Sequence, residues 1–172
     1  MRHAKSDWTD DDLDDHARPL NARGRAAATR MGAFLSDHNI APEVIICSTA
    51  VRTAETLTRV LSEMAGSPQV VHDRRVYLAL PEHIIATALE HLARLPGTIE
   101  CAMIVGHNPG IHALAVSLAK AGDAEQRRRL YSKYPTGAVA VIDVDTDRWA
   151  DVVEGGVLTQ FTVPRDLAPR PQ

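Results

Sequence analysis

Val44-Ile45-Ile46-Cys47-Ser48-Thr49-Ala50-Val51-Arg52 is the stretch that decides the fold. Its first four residues are apolar without a break. A strand covered on one face alternates apolar with polar side chains, so an unbroken run reads as a strand buried on both faces. Small polar residues follow at once, and a helix is predicted over residues 50–65, closed by Gly66. A buried strand that turns straight into a helix is the repeating unit of an α/β domain.

The same unit recurs on either side. Cys101-Ala102-Met103-Ile104-Val105 is a second buried strand, followed by Gly106-His107 and a helix beginning at Asn108 or Gly110 and running to about Lys120. Upstream, Asn21 is a good N-cap, and Ala26, Ala27, Ala28, Met31, Phe34 and Leu35 recur at helical spacing to about His38, before Asn39 and Pro42. Val70-Val71 starts a short strand. Pro81 opens a third helix to about Leu95, with Ile84, Ile85, Ala88, Leu89 and Leu92 on its apolar face. Residues 123–134 form a short charged helix whose Arg127-Arg128-Arg129 is a solvated patch. Residues 138–144 and 149–154 are expected to pair as strands around Asp145-Thr146-Asp147. The chain after Phe161, residues 162–172, is expected to be a coil tail, with Pro164, Pro169 and Pro171.

With 172 residues, no internal repeat and no linker, a single domain over 1–172 is expected. Its sheet should be largely parallel, with the late strand pair extending it antiparallel. Hydrophobic residues make up 45% and charged residues 24%, a globular balance. A net charge of −3 gives no global field for nucleic acid or an acidic membrane. No apolar run approaches the ~18 residues of a membrane span, and the N-terminus lacks the apolar core of a signal peptide, so a cytoplasmic protein is expected. Cys47 and Cys101 are expected to be reduced, buried thiols.

In parallel sheets the active loops follow the carboxyl ends of strands. Residues 48–52 and Gly106-His107 therefore fall on one edge. Met1-Arg2-His3-Ala4-Lys5-Ser6 carries the other chemistry. By the same logic Arg2-His3 should follow a strand, yet only Met1 precedes it. The expectation is that the first strand is truncated and that the natural start lies upstream. Residues 4–20 are loop-like and crowded with aspartates (Asp7, Asp10, Asp11, Asp12, Asp14, Asp15). They form either a solvated acidic flap or a lid that selects substrates or supplies an acid.

A phosphoryl group in transfer needs donors already in place around its oxygens, and Arg supplies them as a planar fork. Arg2, Arg18 and Arg52 are the candidates. His3 is the candidate nucleophile, kept neutral by neighbouring guanidiniums, so that phosphohistidine formation divides one hard step into two. His107 is expected to donate to a phosphoryl oxygen in its protonated form. The arginines supply the positive charge, so neither metal nor cofactor is expected; no His-x-x-x-His or Cys-x-x-Cys pair suggests a zinc site. Cys47 and Arg52 have four residues between them, one short of the cysteine-phosphatase loop. No Gly-x-x-x-x-Gly-Lys or Gly-x-Gly-x-x-Gly element supports nucleotide binding of those kinds.

Five motifs in order then carry a family likeness: Arg2-His3-Ala4-Lys5-Ser6; Arg18-Pro19-Leu20-Asn21-Ala22-Arg23-Gly24; Ser48-Thr49-Ala50-Val51-Arg52-Thr53-Ala54-Glu55-Thr56; Val105-Gly106-His107-Asn108-Pro109-Gly110; and Tyr134-Pro135-Thr136-Gly137-Ala138. From residue 2 to about 166 the chain resembles the histidine phosphatase superfamily, and within it the short SixA-like branch, named for a protein-phosphohistidine phosphatase. The resemblance implies a phosphoglycerate mutase-like, three-layer α/β/α sandwich with a mostly parallel central sheet. It implies His3 as the phosphorylated nucleophile; Arg2, Arg52 and His107 as the phosphate pocket; and Arg18 as the further arginine of this branch. Asn108 stands where larger relatives carry an acidic proton donor, and Leu78, Ala79 and Leu80 stand near Tyr77, where others carry a glutamate. Glu82 or a loop aspartate could serve instead. General acid catalysis contributes roughly 10²–10⁴-fold where an alkoxide must leave. Its absence favours a phosphoramidate, such as phosphohistidine on a partner protein or another small phospho-compound. The alternatives are a phosphomonoester phosphatase and a non-catalytic phosphate- or phosphoprotein-binding domain.

Overall fold

Val44 and Ile46 point into one apolar cluster, and Ile45 and Cys47 into another. Alternate side chains of a strand leave on opposite faces, so this one short strand defines the middle of three layers. In the computed structural model, which describes residues 1–167, strand β1 (Val44–Cys47) is buried at all four positions. Strand β2 (Gln69–His72) and strand β3 (Ala102–Val105) pair with it in parallel, one on each side. One face is covered by helix α1 (Ala22–Asp37), through Met31, Phe34 and Leu35, and by helix α2 (Val51–Leu61), through Leu57 and Val60. The other is covered by helix α3 (Pro81–Leu92), helix α4 (Gly110–Leu118) and helix α5 (Ala124–Ser132), through Ile84, Ala88, Ile111, Leu114 and Leu130.

The second half of the sheet has strand β6 (Gly156–Thr162) at its centre. Strand β4 (Ala119–Gly122) runs parallel to it and strand β5 (Val139–Asp143) antiparallel. Residues 1–3 join the two halves. The Met1 nitrogen donates to the Ile104 carbonyl at 2.7 Å, Gly106 N–H donates to the Met1 carbonyl and His3 N–H to the Gly106 carbonyl. On the other side Arg2 N–H donates to Ala138 and Gly137 N–H to the His3 carbonyl. The segment before the expected nucleophile therefore lies in the sheet, bridged in parallel to β3. The fold is α/β with a mostly parallel sheet.

Three expectations are corrected. Residues 149–154 are a 3-10 turn, not a strand. Trp149 Nε1 donates to the Ile99 carbonyl at 2.8 Å and Val152 is buried, so the apolar run packs as a turn; Gly155, at φ 80°, then redirects the chain into β6, the true partner of β5. The helix expected to reach Lys120 stops at Leu118, because Ala119 turns into β4. The expected coil tail begins too early: Thr162 belongs to β6, Val163 is buried and Pro164–Asp166 is a 3-10 turn. Residues 168–172 of that tail lie outside the described residues. Among the described residues no helix is long and apolar enough to cross a membrane.

Candidate active site

The loop that follows residue 3 is fastened by parts of the other motifs. Ala4 N–H donates to the Thr56 hydroxyl at 3.0 Å, and Leu20 N–H donates to Glu55 Oε2 at 2.7 Å. Asn21 caps α1 through its side-chain oxygen, which accepts from Gly24 N–H at 2.8 Å, and its own backbone N–H donates to the Lys5 carbonyl at 3.1 Å. A Cβ on Gly24 would stand 2.0 Å from the Lys5 carbonyl oxygen, so only glycine lets α1 pass so close beneath this loop.

His3 is held in one tautomer. Its Nδ1 lies 2.7 Å from the Ala4 carbonyl, which can only accept. Nδ1 therefore carries the proton and the lone pair of the neutral ring is on Nε2. The ring is 7% exposed and lines an open cleft of about 400 Å³ with Arg2, Ser6, Asp15, Arg52 and Thr136. Arg2 is aimed by Nη1 donating to the Tyr134 carbonyl at 2.9 Å, and Asn108 Nδ2 donates to the same carbonyl at 3.1 Å. Asn108 is thus committed to holding the Tyr134 loop. His107 stands behind His3, with ring centroids 5.1 Å apart, and its Nε2 is 2.8 Å from the Ser48 hydroxyl.

Buried donors without a partner collect here. Arg2 Nε, Arg18 Nε, Arg18 Nη1 and His107 Nδ1 are all enclosed and unbonded. Buried polar atoms are ordinarily satisfied, so these nitrogens are donors that an oxyanion could engage.

One anion is already present in the cleft. Asp15, from the 3-10 turn Asp15–Ala17, accepts from Arg52 Nη2 at 2.9 Å and from the Tyr77 hydroxyl at 2.5 Å, while its backbone carbonyl accepts from Arg52 Nη1. The Tyr77 hydroxyl first, then Arg52, hold its carboxyl below the usual range. Burial, with help from the carboxylate, pushes the Tyr77 hydroxyl up. Arg18 is 3.9 Å from Asp15 and lies over the Trp8 ring at 4.2 Å. It stands one layer out from the wall formed by Arg2 and Arg52.

Burial pushes the His3 imidazole down to about 4, with Arg52 and Arg2 adding to the shift. Burial also pushes His107 down to about 3, followed by His3 and Arg52. In the free protein both rings are therefore neutral near pH 7. The expected protonated donor, His107, is thus, without an anion in the cleft, a neutral ring. That ring can still donate from Nδ1 when the Ser48 hydroxyl donates to Nε2. Burial pushes the Cys47 thiol up to about 12, so it packs as an apolar group rather than acting as a nucleophile.

The family model for the histidine phosphatase superfamily (branch 1) matches residues 1–76. An uncharacterized protein of Mycobacterium tuberculosis, Rv1276c, is 36% identical over 168 residues, covering 96% of this chain and 100% of its own. The chain belongs to the histidine phosphatase superfamily. Among solved structures, a candidate phosphohistidine phosphatase SixA from Nakamurella multipartitia is similar at 29% identity and TM-score 0.78, covering 95% of this chain and 93% of that one. A candidate SixA from Agrobacterium tumefaciens is similar at 27% identity and TM-score 0.74, covering 95% of each. The protein histidine phosphatase SixA complexed with tungstate shares the fold at TM-score 0.74 and 18% identity.

Of the residues the sequence singled out in this member of the superfamily, Arg2, His3 and Arg52 line one cleft, His107 lies against the His3 ring, and Arg18 is 3.9 Å from Asp15. Tyr77, Asp15 and Ser48 were not singled out by sequence as pocket residues. The aspartate spacing gives no reason to prefer Asp15 over its neighbours; only the turn at residues 15–17 aims it inward. Glu82, offered above as a possible donor, is exposed in the first turn of α3 and does not line the cleft. Among the described residues no group of three or more His, Cys, Asp or Glu is placed to hold a metal.

Proposed function

We propose that this protein is a metal-independent phosphatase that works through a phosphohistidine on His3, with phosphohistidine of a protein or another small phospho-compound as substrate. The observation that carries the reading is the His3 tautomer: Nδ1–H tied to the Ala4 carbonyl, lone pair on Nε2, in a ring too buried to protonate near pH 7. Arg2 and Arg52 would take the phosphoryl oxygens, and His107 Nδ1 would donate to one of them. The Nε2 lone pair forms a bond to phosphorus as the substrate's P–N bond breaks, the electron pair going to a substrate imidazole that is already protonated on its other nitrogen and so leaves neutral. Water then attacks phosphohistidine, releasing phosphate and restoring the ring.

A leaving imidazole suits this cleft better than an alkoxide. The carboxylate present, Asp15, is held ionised and is no ready proton source. The test is phosphate release from a phosphohistidine-bearing protein, with simple alkyl phosphates in parallel. His3→Ala should lose about three orders of magnitude or more, and rapid denaturation without acid should trap phosphate on wild-type His3. Equal release by wild type and His3→Ala would leave a binding domain; alkyl phosphates turning over as fast would make it a phosphomonoesterase.

A further inference from the structure

We propose that Asp15 selects the leaving group, admitting neutral or cationic groups beside the phosphoryl centre and turning away those that carry a second anion. The inference deepens the phosphatase reading and rests on it. The Asp15 side chain, 44% exposed, lines the same cleft as Arg2, His3 and Arg52. It is not a loose surface charge. Two hydrogen bonds hold the carboxylate and the Arg52–carbonyl bond holds its backbone, so it cannot swing aside without losing contacts to Tyr77 and Arg52 together. A fixed negative charge on the wall leaves room for one anion on the donors and opposes another.

The remaining wall agrees. Trp8 and Leu78 line the cleft while 59% and 52% exposed. Leu78 also sits at φ 49°, a conformation a branched side chain adopts only where its surroundings hold it. Both offer apolar surface to the faces of a flat ring. The exposed Lys5 ammonium at the rim is hydrated and flexible, and attracts the phosphoryl group as much as any second anion. The substrate class favoured is a phosphoramidate of an imidazole, whose ring, when protonated on its second nitrogen, carries a cationic N–H that can donate to the free lone pairs of Asp15. Phosphorylated carboxylic acids and diphosphates are the class disfavoured.

Calorimetric titration with methylphosphonate and phosphonoacetate tests this without relying on turnover, since the two differ by one carboxylate. Wild type should prefer methylphosphonate by about tenfold or more. Asp15→Asn should cut that ratio to about threefold or less, whereas Asp15→Glu and Tyr77→Phe, which keep the carboxylate, should retain most of it. A damaged cradle in Asp15→Asn weakens both ligands and leaves the ratio readable. Equal binding by wild type, or a ratio unchanged in Asp15→Asn, would overturn the selection. If the ratio behaves as expected but no phosphohistidine is hydrolysed, the phosphatase reading fails and the selection stands. Binding of neither ligand would overturn both.

Discussion

His3 and His107 face each other in the interior, and their protonation is coupled to folding. Both imidazoles are pushed down by burial, to about 4 and about 3, whereas an unfolded chain takes up the same protons near 6.5. Between those values the unfolded state binds more protons, so stability rises with pH and is lost as pH falls below about 6.5. The loss should steepen towards pH 4, at roughly 1.4 kcal/mol per pH unit for each histidine kept neutral. Denaturant titrations from pH 7.5 to 4.5 should show it, and His107→Asn should flatten the slope. Saturating phosphate should flatten it too, because an anion in the cleft raises both imidazoles. Arg52 presents a different test. Two of its nitrogens are bound to Asp15, and a lysine cannot span two acceptors and a phosphoryl group together. Arg52→Lys should lower kcat/KM by about 10²-fold in phosphohistidine hydrolysis, despite keeping the charge.

Among the elements, the decisive contact is between α1 and the loop above it. The Lys5 carbonyl lies where a Gly24 side chain would begin, and as backbone it cannot yield. Gly24→Ala should cost about 1–3 kcal/mol in a thermal or denaturant melt, and should also slow turnover, because the displaced loop begins next to His3. α1 and α2 approach just as closely elsewhere: a Cβ on Gly32 would meet the Val60 carbonyl oxygen at 2.4 Å. The errors of the sequence reading also belong at this scale. Trp-Ala-Asp-Val-Val at 149–153 has the composition of a strand, but Trp149 reaches out of it to the Ile99 carbonyl and Val152 packs inward. Local composition cannot tell a strand from a turn pinned by a distant carbonyl.

For the molecule as a whole, β1 is the test of the three layers. Ile45 and Ile46 are both fully buried, yet they feed opposite clusters, one under α1 and α2 and the other under α3 and α4. Ile45→Ala and Ile46→Ala should each lose about 2–5 kcal/mol in denaturant unfolding. A sheet covered on one side only would make one of them mild. The sequence by itself determined the α/β class, β1, β3 and the helices that follow them, and the motifs bearing Arg2, His3, Arg52 and His107, because unbroken apolar runs, caps and local spacing are properties of neighbouring residues. The tertiary structure alone decided that residues 1–3 bridge β3 and β5, that β6 rather than residues 149–154 completes the sheet, and that Asp15, out of six similar aspartates, enters the cleft. Those outcomes depend on hydrogen bonds between residues tens to more than a hundred positions apart. The free energy of such contacts belongs to both partners at once and leaves no pattern in either segment read alone.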